Sequence, residues 1–302
     1  MTNRIQRFIA FLLVLCIPIF AIAGCTNNDV ANAANQVTTN ANGTYSIDTK
    51  TTTPEGKLDV YMLDIGQGDA ILLKVGDEYS MIDTGDIEHR ENIVAQLKTM
   101  GVTKLKNIII THPHADHMGG FYAIAKAMPI EHVYDDGIAV DNNMYKTYEK
   151  WIEKNKIQRT TLRSGDVVDF GHGAVFVVYA PWVEPLTDKK GETDLNNNSI
   201  VGKLIFGKFS MLFTGDAEWQ EEKKLIKEQN SRLFARILKV GHHGSRTSSS
   251  EDFLKSIKPE SALISNGMYN KYGHPHDVTL RRLQENNIAI YRTDTMGRIH
   301  IS

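Results

Sequence analysis

Four apolar runs in this chain each end on a small polar cluster, and that recurrence limits the folds it can adopt. Ile82 leads into Asp83; Ile108, Ile109 and Ile110 lead into residues 112–117; Phe213 leads to Asp216; and residues 237–240 lead to His242 and His243. A short continuous apolar run is the mark of a strand buried on both faces. Two sheets with helices outside, their loops meeting along one edge, would gather the four clusters in one place.

The densest cluster is Thr111-His112-Pro113-His114-Ala115-Asp116-His117. It lies between an apolar strand and the helical pattern opened by Met118-Gly119-Gly120. Neutral imidazole and carboxylate are the donors that borderline divalent ions prefer. His112 and His114 can converge on one ion, and Asp116 and His117 can turn to a second. A lone histidine here would read as a cap; H-x-H-x-D-H behind a strand reads as a metal loop. Asp83 stays open between two readings, a buried carboxylate that orients a metal-bound histidine or a turn aspartate.

The chain has 302 residues, 41% hydrophobic and 23% charged, which suits one folded domain of about 250 residues plus extensions. Residues 1–24 read as an export signal. Arg4 and Arg7 precede an apolar stretch that is broken by Pro18 and too short for a comfortable membrane span. Ile22-Ala23-Gly24-Cys25 has the pattern of a bacterial lipobox, which predicts a lipidated Cys25 and a place on the extracellular face of the cell membrane. Residues 25–56, rich in Asn, Thr and Ala, read as a flexible tether, and 57–302 as the folded domain. The net charge is −2, and −4 once residues 1–24 with Arg4 and Arg7 are removed. No global basic field draws the domain to nucleic acid or to anionic lipid. With Cys16 discarded and Cys25 lipidated, no thiol remains for a disulfide or a metal.

Alternation and punctuation predict strands over 58–64, 70–75, 79–82, 106–110, 131–134, 167–170, 174–179, 200–206, 209–213, 237–240, 262–264, 288–291 and 298–301. Helices are expected over 91–100, 121–128, 144–155, 218–229, 253–257 and 278–286. The 218–229 helix is so charged that it reads as mostly solvated. Residues 182–197 form a polar loop long enough to be a lid or substrate loop.

Taken together, the motifs resemble the metallo-β-lactamase superfamily. The carriers are Ile82-Asp83-Thr84-Gly85, the H-x-H-x-D-H of 112–117, Phe213-Thr214-Gly215-Asp216 and a late histidine. More narrowly, four segments resemble the metallo-hydrolase domain of ComEC-type competence proteins. They are Leu63-Asp64-Ile65-Gly66-Gln67-Gly68-Asp69-Ala70, Asn197-Asn198-Ser199, residues 238–245 and Tyr272-Gly273-His274-Pro275-His276. The resemblance implies an α/β fold of the αββα sandwich type with two divalent ions at the sheet edges, zinc before manganese. It implies that His112 and His114 hold the first ion, that Asp116 and His117 hold the second, and that Asp216 bridges them. His242 or His243 would complete the second site. Asp64, Gln67, Asp69, Asp83, Asn198 and Ser199 would support or line the site. His274 would lie near the opening, as a substrate contact or a helix cap. One departure stands out. Many superfamily members carry a third histidine for the first ion between the metal loop and the bridging aspartate, and here only His132 and His172 lie in that interval.

Two ions can lower the pKa of a water between them to about 7. Asp116 or Asp216 could orient that water, and His243, its neighbour His242 and Ser245 could stabilise charge on the substrate. The expected activity is phosphodiester cleavage, on single-stranded DNA or a related phosphoester, by a membrane-tethered hydrolase. The alternatives are a phosphoesterase on cell-wall or choline-bearing polymers and a non-catalytic metal-binding module. No protein partner is expected.

Overall fold

The computed structural model describes residues 54–302 and, ahead of them, only two short strands, β1 (Val37–Thr39) and β2 (Tyr45–Ile47), paired antiparallel. The expected export signal, the lipidation site at Cys25 and most of the expected tether lie outside the described residues. Among the described residues, no helix is long and apolar enough to cross a membrane.

The first half of the domain contains β3 (Leu58–Met62), β4 (Ala70–Val75), β5 (Glu78–Thr84), α1 (Arg90–Thr99), β6 (Leu105–Ile109), α2 (Ala115–Met118), α3 (Phe121–Ala127), β7 (Ile130–Asp135), α4 (Asn143–Asn155) and β8 (Gln158–Thr161). The second half contains β9 (Val167–Gly171), β10 (Ala174–Ala180), β11 (Val201–Phe206), β12 (Phe209–Phe213), α5 (Trp219–Gln229), β13 (Ile237–Lys239), α6 (Glu251–Ile257), β14 (Ser261–Ile264), α7 (Asp277–Glu285), β15 (Ala289–Arg292), α8 (Thr293–Met296) and β16 (Ile299–Ile301). The sheets run β16-β3-β4-β5-β6-β7-β8 and β15-β14-β13-β12-β11-β10-β9. β16 leaves the second half and pairs antiparallel with β3, Ile299 opposite Met62.

Side chains alternate between two hydrophobic layers, as the two-residue period of a strand requires. In β4, Ile71, Leu73 and Val75 point between the sheets, where they join Phe176, Leu204 and Phe213 of the second sheet. Ala70 and Leu72 point the other way, onto Ile93 and Leu97 of α1 and Phe121 of α3. In β10, Val177 and Tyr179 pack outward with Leu225, Phe253 and Leu283 from the helices of the second half. The order of layers is therefore helix, sheet, sheet, helix, as expected.

Three local expectations need correction. β8 is too polar to have been read as a strand, yet it pairs parallel with β7 at the sheet edge. The turn expected at 293–297 is a single helical turn, α8. The charged helix α5 is not simply solvated, because Glu221 and Glu222 are both buried. Glu222 accepts the main-chain N–H of Ser250 at 2.9 Å and that of Ser249, so it anchors the start of α6. Burial pushes the Glu222 carboxyl up to about 7, against the pull of those donors.

Candidate metal centre

The parallel strands of both sheets end at the same edge, and the loops that leave them build the site. After β6, Thr111 is held by Asp83 of β5. The main-chain N–H of Thr111 donates to Asp83 Oδ1 at 2.7 Å, and its hydroxyl donates to Oδ2 at 2.8 Å. The same Oδ2 lies 2.8 Å from His117 Nδ1. Asp83 is buried. It thus fixes the His117 ring with Nδ1 inward and Nε2 toward the cluster, the geometry of an orienting carboxylate.

Asp216 follows β12 and sits at the middle. Its N–H donates to Ser199 Oγ at 3.0 Å, and Ser199 Oγ lies 3.4 Å from His112 Nδ1. The preceding Gly215 has φ of +48°, and a Cβ there would lie 2.9 Å from Ser199 Cβ and 3.0 Å from Thr111 Cβ, so no larger residue fits without displacing both loops. Asp216 Oδ1 is 3.2 Å from His117 Nε2 and 3.5 Å from His243 Nε2, and His243 Nε2 is 3.4 Å from Asp116 Oδ2. Asp216 Oδ2 is 3.9 Å from His112 Nε2 and 3.7 Å from His242 Nε2. His112 Nε2 is 3.0 Å from His114 Nδ1.

Two donor sets therefore flank one carboxylate. Asp116, His117 and His243 face Oδ1, while His112 and His242 face Oδ2 and His114 lies against His112. The four ligand atoms of Asp116, His117, Asp216 and His243 all lie within 4.8 Å of one another. Three of these atoms, His117 Nε2, Asp216 Oδ1 and His243 Nε2, are buried without any hydrogen-bond partner. Buried polar atoms are rarely left unpaired, and three that converge fit a shared cation. The donors are nitrogen and oxygen only, which suits zinc or manganese.

His242 and His243 both have positive φ, +48° and +52°, a strained conformation for histidine. Their rings are fixed from behind. His243 Nδ1 donates to the Ser265 carbonyl at 2.8 Å, which leaves Nε2 as the acceptor. His242 Nδ1 lies 3.0 Å from Glu218 Oε1, and that oxygen also accepts the Thr247 hydroxyl. The structure thus separates a pair the sequence left open. His243 lies with the second set, and His242 lies beside the other oxygen of Asp216, which His112 also faces. His132 bonds Thr160 and His172 bonds Asp77, both away from the cluster.

Asp69 is buried beneath the second set, 3.8 Å from His117 Nδ1 and 3.6 Å from His243 Nδ1. It pairs with Lys239, whose Nζ also donates to the Gly215 carbonyl at 2.9 Å. Lys239 was not foreseen. The one signal for it is a charge inside the otherwise apolar run 237–240. Burial alone would raise the Asp216 carboxyl, but His117 and His243 outweigh it and hold the group well below the usual carboxylate range. Burial, helped by the charges of the neighbouring His117 and His114, keeps His112 neutral, well below the ordinary imidazole value.

Other expected site residues lie elsewhere. Asn198 is buried and staples the long loop. Its Nδ2 donates to the carbonyls of Leu186 and Asp194, and its Oδ1 accepts the Leu186 N–H, so nothing is left to face a substrate. Ser245 turns its hydroxyl to Thr247 at 2.9 Å, not to the cluster. Asp64 is exposed, and its main-chain carbonyl accepts from the side chains of Gln96 and Asn92. Gln67 Oε1 accepts the Gly267 N–H at 3.4 Å, tying two rim loops together. His274 packs against His242 and His243, and the residue that precedes α7 at its cap position is His276.

Solvent reaches the cluster past Asp116 and His242, whose side chains are each 24% exposed. A groove of about 770 Å³ lies elsewhere, lined by Arg90, Lys98, Tyr122 and Met144 among others, and none of the cluster's donors reaches it.

Fold and donor set define a class, and the chain belongs to the metallo-β-lactamase superfamily, which it matches over residues 63–267. Members of this superfamily are generally metal-dependent hydrolases. Within it the chain is similar to competence proteins. It is 29% identical over 247 residues to competence protein ComA of Neisseria gonorrhoeae, covering 82% of this chain and 32% of that protein. It is 30% identical over 264 residues to ComE operon protein 3 of Bacillus subtilis, covering 81% and 33%. The chain thus spans about a third of the length of these relatives. The metallo-β-lactamase fold protein YhfI of B. subtilis superposes with a TM-score of 0.56 at 11% identity, covering 82% of this chain and 100% of that one. Zinc-bound PqqB of Methylobacterium extorquens superposes with a TM-score of 0.51 at 10% identity, covering 78% and 87%.

Proposed function

We propose that this protein is a metal-dependent phosphodiesterase that acts on DNA or a related phosphodiester from the outer face of a bacterial membrane, tethered through a lipid at Cys25. The observation that carries the reading is Asp216 standing between two sets of convergent donors. Such a site would hold two divalent ions, through His112, His114 and His242 on one side and Asp116, His117 and His243 on the other. When bound, paired divalent ions activate water and neutralise charge on a phosphoryl group.

The chain's own groups prepare for direct attack by water. Asp83 and the Ser265 carbonyl hold the Nδ1 protons of His117 and His243, so both Nε2 lone pairs face the cluster. The nearby hydroxyls are already engaged. Thr111 donates to Asp83, Ser199 accepts from Asp216, and Ser245 pairs with Thr247. All three residues are also buried, so none presents a hydroxyl to substrate as a covalent nucleophile must. Asp116, partly exposed beside His243, is placed to accept a proton from the attacking water. DNA is the first substrate to test because the relatives include proteins named for competence and one, from Haemophilus influenzae, named for recombination.

The test uses purified protein loaded with zinc or manganese. Cleavage of a single-stranded oligonucleotide and of bis-p-nitrophenyl phosphate, abolished in His114→Ala, is the expected result. Loaded protein that turns over neither substrate overturns the proposal.

A further inference from the structure

The loop from Ser265 to His276, which joins β14 to α7, runs past the mouth of the cluster. It is built to keep a fixed shape. Asn270 Nδ2 donates to the carbonyls of Gly267 and His274, and its Oδ1 accepts the N–H groups of Tyr272 and His274. This tied loop nonetheless holds large side chains in solvent. Tyr269 is 96% exposed, at a φ of +57°, and Tyr272 is 51% exposed.

The rings are ordered relative to one another. Tyr272 stacks on His274 at 5.6 Å with 22° between planes, and His274 stacks on His243 at 6.4 Å with 27°. Three nearly parallel rings therefore step from the surface to a residue of the metal cluster. His274 Nδ1 has no hydrogen-bond partner, and its residue is buried except for 9%. Lys271 Nζ lies 5.1 Å from the Tyr272 ring centroid.

We infer that Tyr272, flanked by Tyr269 and Lys271, is a stacking platform for a base next to the cleaved phosphodiester. This deepens the proposed phosphodiesterase reading and rests on it. An exposed aromatic face in a rigid loop accepts any base, because every base has a π-face, and an adjacent ammonium meets the backbone phosphate. In a duplex that face is already covered by neighbouring bases. A quaternary ammonium, such as choline, would seek rings arranged as a box around it. Here the rings lie directly against one another, Tyr272 on His274 and His274 against His242, His243 and His276, so they enclose no space for one.

The experiment compares kcat/KM of the metal-loaded protein on a single-stranded oligonucleotide and on an abasic oligonucleotide of equal length. The native protein should prefer the oligonucleotide that carries bases about tenfold or more. Tyr272→Ala should bring that ratio close to one, Tyr272→Phe should restore it, and both variants should retain the native metal content. Equal rates on the two substrates by the native protein, or an undiminished preference in Tyr272→Ala, would overturn the inference while leaving the phosphodiesterase reading intact. Faster hydrolysis of a phosphocholine ester than of either oligonucleotide would overturn it in favour of wall polymers. Cleavage of no phosphodiester at all would remove both.

Discussion

His242 and His243 are adjacent in sequence, yet they serve opposite oxygens of Asp216: His242 Nε2 lies 3.7 Å from Oδ2 and His243 Nε2 lies 3.5 Å from Oδ1. The left-handed backbone at both residues makes this possible, because an extended dipeptide would send the rings to opposite faces. Each should therefore control a different ion. Metal analysis should find two ions per chain in the native protein and one in either His242→Ala or His243→Ala, with phosphodiester turnover at least about a hundredfold lower in both. Loss of both ions from His242→Ala would contradict the division.

The Asp83 carboxylate has three donors, the Thr111 N–H, the Thr111 hydroxyl and the His117 ring. Asp83→Asn keeps the shape but replaces one acceptor oxygen with an amide donor. Metal affinity should fall about 10- to 100-fold, read by competition with a chromophoric chelator. An unchanged affinity would reduce Asp83 to a turn residue.

Lys239 and Asp69 form an ion pair at about 1% exposure each. Removing one partner of a buried pair strands the other charge. Lys239→Met should cost about 3–5 kcal/mol in urea denaturation. The double variant Lys239→Met with Asp69→Asn should recover part of that loss, because no charge is then left alone. A single variant as stable as the native protein would mean that water reaches this pair.

Glu222 is one source of pH dependence, beside Glu221 and Asp136, whose carboxyls burial also raises. Burial raises its folded pKa from 4.5 to about 7, so the folded state binds more protons than the unfolded state between those values. Stability therefore declines as pH rises from about 5 to 7, by up to about 3 kcal/mol from this group. Melting temperatures across that range should fall in the native protein and fall less steeply in Glu222→Gln. A parallel slope in the variant would assign the effect to other groups.

Much of the centre was legible in sequence because its donors are chemically unusual where they stand. Three imidazoles and an aspartate directly after an isoleucine run have few other uses, and Asp216 and His243 follow the same strand-end rule. What stayed hidden depends on directions that sequence does not encode. Ser245 and Asn198 lie within motifs of the site, but hydroxyl and amide orientation follows the local turn, and both became staples. Lys239 was missed because a lysine in a strand ordinarily marks an edge, and only the folded structure puts Asp69 against it. Glu221 and Glu222 looked solvated because helical spacing reports amphipathicity and cannot foresee the Ser249 and Ser250 amides that draw Glu222 inward.

The pairing of β16 with β3 has a consequence for how the protein is made. The first sheet gains its outer strand only after the ribosome has added nearly every other strand, so during synthesis β3 waits with a bare row of main-chain donors and acceptors. Such a row is a template for wrong partners. A nascent chain halted before Ile299 carries that row uncovered.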